Sequence, residues 1–185
     1  MPVNATNDKL GWLAPSFNLL DISDNYISLD QLKGDNGTVI AFICNHCPYV
    51  IAIAERLSFE AKELKKLSIN MIAIMSNDVE QYPEDSFDNM KLFAKKYDFE
   101  FSYLYDETQE VAKSYGAVCT PDIFGFNSSL ELMYRGRIDS GVMNSDTTEV
   151  DRELFFAMNK IKNEGVGPKD QLNSFGCSIK WKTNE

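Results

Sequence analysis

Cys44-Asn45-His46-Cys47 spaces two thiols as CxxC, with Pro48 directly behind them. Proline suits the first position of a helix and is poorly placed inside one, so the pair sits where a helix begins. There the orphan N–H groups and the positive end of the helix dipole favour a thiolate, the species that attacks disulfides and peroxides. A free cysteine is only about 3% thiolate at neutral pH, and a downward shift of about two pKa units favours the anion by about 2.7 kcal/mol. The partner cysteine then resolves the mixed disulfide or sulfenic acid that forms. His46 is the only histidine of the chain. Between two cysteines it could stabilise a thiolate, shuttle a proton, bind metal or serve as an exposed spacer. Cys44, His46, Cys47 and Cys119 also offer soft ligands for Zn²⁺ or Cu⁺. Disulfide exchange, peroxide reduction and metal binding therefore all stay open on these residues alone.

Cys119-Thr120-Pro121 is the second telling element. It follows a helical pattern ending at Gly116 and precedes a strand, with proline at the strand's first residue, where proline is tolerated. Cys177 lies about 130 residues after the pair. It would act as a third redox partner or, by the reading we prefer, anchor the tail through Ile179 and Trp181. Four cysteines in a chain of 185 residues are not a disulfide framework. In a reducing compartment they are catalytic, metal-binding or simply buried.

The elements that must position these groups alternate. Ala14–Leu20 and Asn25–Leu29 read as short strands joined by Asp- and Asn-rich turns. Thr38–Ile43 is a continuous apolar run, the mark of a strand buried on both faces. Val50, Ile53, Leu57, Ala61 and Leu64 then form a helical stripe. Asn70–Met75 and Phe101–Tyr105 read as strands, and Phe87, Met90, Ala94 and Tyr97 as a helix between them. Asp106 with Gln109 has the spacing of a capping box. Asp122–Phe126 and Leu130–Tyr134 read as a hairpin across Asn127-Ser128-Ser129, and Asp146 with Glu149 as the opening of a last helix. The order β-β-β-α-β-α-β-α-β-β-α predicts an α/β fold with a central mixed sheet flanked by helices, an N-terminal β extension and a C-terminal tail. We expect one domain, with its core over about residues 12–163 and a tail over 164–185.

Net charge is −10, which argues against nucleic acid or anionic lipid as partner. No apolar run approaches the roughly 18 residues that span a bilayer. Met1–Lys9 has no apolar segment of a secretory signal, so a cytoplasmic location is expected.

The chain resembles the thioredoxin-like superfamily, in the branch of peroxiredoxins of the alkyl hydroperoxide reductase/thiol-specific antioxidant type. Leu10-Gly11, Ala14-Pro15-Ser16-Phe17 and Ile27-Ser28-Leu29 resemble the opening of that branch. It is most similar to a peroxiredoxin-like bacterial group carrying Cys44-Asn45-His46-Cys47-Pro48-Tyr49-Val50. That group also shows Ser76-Asn77-Asp78, Tyr82-Pro83-Glu84-Asp85-Ser86, Ala117–Asp122, Tyr134–Asp139 and Gly176–Trp181. The resemblance covers nearly the whole chain. It implies a thioredoxin-like fold, a cis Pro121 facing the CxxC and Cys119 close to the redox pair. It also implies no cofactor beyond a redox-active disulfide.

Two departures bear on activity. Peroxiredoxins carry Thr-x-x-Cys-Pro, and here Cys44 stands where the threonine belongs. The segment expected to supply a peroxide-polarising arginine reads Thr120-Pro121-Asp122-Ile123-Phe124. Thioredoxin in turn has a tryptophan where this chain has Ile43. The leading expectation is a thiol–disulfide oxidoreductase using Cys44 and Cys47, supported by His46, Pro48, Cys119, Thr120 and Pro121. A thiol peroxidase acting on hydroperoxides is the alternative, and a Cys/His metal-binding protein the third. The thioredoxin analogy makes Cys44 the attacking thiol, which we expect for disulfide exchange; the peroxiredoxin analogy makes it Cys47. The implied partners are a protein or small-molecule disulfide, or a hydroperoxide, with a thioredoxin-type or low-molecular-weight thiol as reductant. Homo-oligomerisation is open.

Overall fold

The computed structural model describes residues 2–5, 10–143 and 150–183. A seven-stranded mixed sheet forms its centre. Its strands are β2 (Asn18–Asp21), β3 (Tyr26–Ser28), β4 (Gly37–Phe42), β5 (Ile69–Met75), β6 (Ser102–Tyr105), β8 (Asp122–Phe126) and β9 (Leu132–Gly136), in the order β3-β2-β6-β5-β4-β8-β9. β4, β5 and β6 run parallel, while β8 lies antiparallel to β4 and β9 to β8. Every residue of β4 is buried, as its unbroken apolar run requires. Alternate residues serve opposite faces. Val39 and Ala41 join α2 (Pro48–Lys65), α3 (Phe87–Lys96) and α5 (Glu153–Glu164) on one side. Ile40 and Phe42 join α1 (Leu29–Leu32), α4 (Glu110–Tyr115) and Trp12 on the other. The expected layered α/β architecture is the one observed.

Some local readings are refined. The C-terminal tail carries a strand. Phe175–Ser178 forms β10, which pairs with β1 (Pro2–Asn4) on one side and β7 (Cys119–Thr120) on the other. Such short strands carry no readable alternation. Asp106 and Gln109 do not form a reciprocal box. The Asp106 carboxylate accepts from the N–H groups of Val111 and Ala112, and α4 starts only at Glu110. Gln109 instead donates to the carbonyls of Ser76 and Lys180 and accepts from Lys182 N–H, holding the tail. Asp146 and Glu149 lie outside the described residues, and α5 is ordered from Glu153.

Candidate active site

β4 ends at Phe42, and the chain turns through Cys44-Asn45-His46 into α2. Cys47 is the N-cap of that helix and Pro48 its first residue, so the pair occupies the expected helix start. Facing it, β7 and β8 are joined at a cis Thr120–Pro121 bond. The Cys44 Sγ and Thr120 Oγ1 lie 3.3 Å apart, and the Cys47 Sγ lies 3.1 Å from the Thr120 carbonyl oxygen. Cys119 is buried one residue before, its thiol 3.4 Å from the Pro121 carbonyl. Burial first, then the Asp122 charge, holds that thiol high and inert.

Cys177 pairs with Thr120 across the β10–β7 ladder and packs against Cys47. β10 can lie this close because its neighbour is Gly176: a Cβ there would meet the Thr120 carbonyl oxygen at 2.0 Å. Tyr49 of α2 packs edge-on against Phe175 at 5.1 Å. The tail is thus anchored, as preferred, by Ile179 at 3% exposure and not by Trp181, which is 38% exposed. Anchoring also delivers the Cys177 sulfur to the site.

The two thiols of the pair differ in acidity. Cys47 is lowered to about 5, chiefly by the hydrogen bond from the Cys44 thiol. Burial opposes this, while the Cys177 thiol and the N–H groups of Val50 and Cys177 add to it. The Thr120 carbonyl favours the protonated form, and these donors outweigh it. Cys44 is raised well above the ordinary thiol range, first by its hydrogen bond to Cys47, then by burial and the charge of Asp85. The two thiols are linked, so the first proton lost belongs to the pair, with the acidity leaning toward Cys47. Cys177 is pushed up to about 11 by burial and by its bond to Cys47.

Sequence reasoning missed the other wall. The 3-10 turn Pro83–Asp85 delivers Asp85, 0% exposed, behind the CxxC. Its Oδ1 accepts from the N–H of Asn45 at 2.7 Å and of His46 at 3.3 Å. Its Oδ2 lies 2.7 Å from His46 Nδ1 and accepts from Asn77 Nδ2 at 2.8 Å. Tyr82 stacks on the His46 ring at 5.5 Å with a 7° interplanar angle. Tyr103 donates to Asn45 Oδ1. His46 is therefore a half-buried, oriented ring rather than a spacer, and its pKa is raised, first by the hydrogen bond to Asp85. The signal was present in Ser76-Asn77-Asp78 and Tyr82–Ser86, strings specific to the resembled group for which no chemistry suggests itself without the fold.

As to metal, Cys44, His46 and Asp85 bring a sulfur, a nitrogen and an oxygen within 4.8 Å of one another. Both Asp85 oxygens are already occupied by hydrogen-bond donors, a poor fit to a coordination site. The arginine nearest in sequence to the Pro121 wall, Arg135, is committed to Asp122 and to the Gly116 carbonyl.

Comparison with known proteins supports the family and the fold. The AhpC/TSA family matches residues 10–154. The crystal structure of an uncharacterized conserved protein from Geobacillus kaustophilus is 42% identical, with a TM-score of 0.93 over 100% of this chain and 98% of its own. Chloroplastic peroxiredoxin Q of Populus jackii is 31% identical over 117 residues, 62% of this chain and 49% of that protein. The chain thus spans about half the length of the curated relatives it matches. The thioredoxin domain of a thiol-disulfide oxidoreductase from Bacteroides vulgatus shares the fold at 16% identity, with a TM-score of 0.61 over 74% of this chain and 94% of its own.

Proposed function

The chain belongs to the AhpC/TSA family, and on that premise we propose that it is a thiol–disulfide oxidoreductase cycling Cys44 and Cys47 between dithiol and disulfide. The observation that carries the reading is the placement of two adjoining thiols at the start of α2 against the cis Thr120–Pro121 wall, with Cys47 at the N-cap and its acidity favoured over that of Cys44. Cys47 is accordingly the attacking thiol, rather than Cys44 as thioredoxin analogy would have it. Its thiolate attacks a substrate disulfide, forms a mixed disulfide and releases one thiolate. Cys44 then attacks the Cys47 sulfur, closes the Cys44–Cys47 disulfide and releases the second. A thioredoxin-type or small thiol returns both to the dithiol form. Cys177, in contact with Cys47, is placed to compete with Cys44 for the same mixed disulfide. Cys44 and Cys47 are 1% and 0% exposed, so a substrate enters by displacing neighbouring chain, which favours flexible or small disulfides. The setting proposed is the cytoplasm, and the only prosthetic element is the disulfide itself.

Reduction of an aromatic disulfide such as 5,5′-dithiobis(2-nitrobenzoate) or of insulin, with thioredoxin as electron donor, tests the proposal. Cys47→Ser should abolish turnover. Cys44→Ser should stop it after one thiol is released. The attack rate should rise with pH through about 5 and be level at neutrality, following the Cys47 thiolate. Turnover that survives in both serine variants would refute the assignment.

A thiol peroxidase is the second reading, favoured by Cys47-Pro48 at the helix start with its acidic thiol. Against it, Cys44 stands in place of a hydroxyl donor and Arg135 is tied to Asp122. Peroxide consumption by reduced protein far above that of free cysteine would move the assignment there.

A further inference from the structure

The proposed cycle leaves one problem. Cys44 must lose a proton before it can resolve the mixed disulfide, yet it is 1% exposed and faces no solvent. Its own contacts do not solve this. Thr120 Oγ1, 3.3 Å away, is a hydroxyl, and the Cys47 sulfur is by then bonded to substrate. Among the described residues His46 is a basic group beside it: a ring nitrogen, the Cys44 sulfur and an Asp85 oxygen all lie within 4.8 Å of one another. One water molecule closes such a gap. The His46 side chain is also 26% exposed, so a proton taken from inside can leave to solvent.

We infer that His46 and Asp85 form a proton-exchange dyad for Cys44, with His46 the catalytic base and Asp85 the residue that positions it. The inference rests on the exchange reading above. In the resolving step the Cys44 S–H bond breaks. Its electron pair forms the bond to the Cys47 sulfur, the bond from Cys47 to the substrate sulfur breaks, and the substrate leaves as thiolate. The proton passes to the imidazole. On re-reduction of the Cys44–Cys47 disulfide, Cys44 departs as thiolate and the imidazolium returns the proton.

Asp85 fixes the ring for this task. Its carboxylate is immobile, held by the backbone N–H groups of Asn45 and His46 and by Asn77. Asn77 is itself held by the tail through Lys180 N–H. The 2.7 Å contact of Nδ1 with Asp85 fixes the orientation of the ring. The groups facing the ring are the carboxylates of Asp85 and Glu84, the Cys47 and Cys44 sulfurs and the stacked Tyr82, with Lys180 Nζ 5.6 Å from the Tyr82 ring centre.

A two-step assay separates this dyad from the reaction it serves. With 5,5′-dithiobis(2-nitrobenzoate), the first thiol released reports attack by Cys47 and the second reports resolution by Cys44. In His46→Gln and in Asp85→Asn the second release should slow at least about a hundredfold, the low end of what a positioned base supplies. The first release should change far less. In the wild type the second release should rise with pH through the titration of His46, and that rise should vanish in His46→Gln. His46 is the only histidine, so its titration is read directly by NMR, and Asp85→Asn should lower its pKa. His46→Gln keeps the test alive should Asp85→Asn unfold. Unchanged second release in His46→Gln overturns the dyad, as does an unchanged His46 titration in folded Asp85→Asn. Absence of the first release in the wild type would instead refute the exchange reading.

Discussion

Asp85 and Asp122 are both 0% exposed and flank the cysteines, but they are neutralised by different kinds of partner. Asp122, directly after Pro121, faces the guanidinium of Arg135 through contacts of 3.3 and 2.9 Å. Arg135 also donates to the Gly116 carbonyl and lies 4.5 Å over the Phe124 ring. Asp85 faces His46, whose charge comes and goes near neutrality. A buried carboxylate with a fixed counter-charge ties strands β8 and β9 together and reports nothing about protons. One whose partner titrates links its surroundings to proton movement. On the proposed reading the strand side of the site is scaffold, and the turn side is where protons change hands.

The largest effect expected from this contrast is on stability. Arg135→Met keeps most of the side-chain volume but leaves the Asp122 carboxyl unpaired in the core. Removing one partner of a buried pair costs about 3–5 kcal/mol. Denaturant melts of the reduced protein should register that loss, and adding Asp122→Asn should recover much of it. A loss below about 1 kcal/mol would mean that Asp122 is not a scaffold charge, and the contrast would fail.

Much of this architecture can be read from the chain, and the limits are physical. The buried run Thr38–Ile43, the stripe from Val50 to Leu64, Pro48 at a helix start and the hairpin from Asp122 to Tyr134 are local patterns, and each is found where expected. The three-stranded sheet is not local. β1, β7 and β10 have three, two and four residues, too few for periodicity, and they meet only because Gly176 admits the Thr120 carbonyl. The CxxC can be read because its chemistry lies in adjacent residues. Asp85 cannot, because its partner His46 is 39 residues away and an acid after a proline looks like any exposed turn. Only the fold brings it behind the cysteines.

A smaller effect sharpens the contrast through pH. The His46 pKa is raised in the folded state above its ordinary 6.5, so the pair with Asp85 stabilises the fold in full below about pH 6.5. That contribution is lost as pH rises through the folded value. The stability difference between wild type and His46→Gln should therefore be larger at about pH 6 than at about pH 9, by roughly 1 kcal/mol or less for a half-exposed ring. The cost of Arg135→Met should stay level over the same interval. Equal pH dependence in both variants would erase the distinction between a fixed and a titrating partner.

The smallest expected effect concerns which contact orients His46. Tyr82 stacks on the ring face, whereas Asp85 holds Nδ1 through a short polar contact. A stacked aromatic pair contributes about 0.5–1.5 kcal/mol beyond area burial, and Lys180 beside Tyr82 adds about 0.5–1 kcal/mol at an exposed site. Tyr82→Leu preserves an apolar surface under the imidazole and leaves the carboxylate untouched. It should cost about 1 kcal/mol of stability and slow the second thiol release by less than about threefold. The NMR titration of His46 should remain raised. If Tyr82→Leu slows resolution as much as Asp85→Asn does, the ring is held by stacking rather than by charge, and the turn side of the site is scaffold as well.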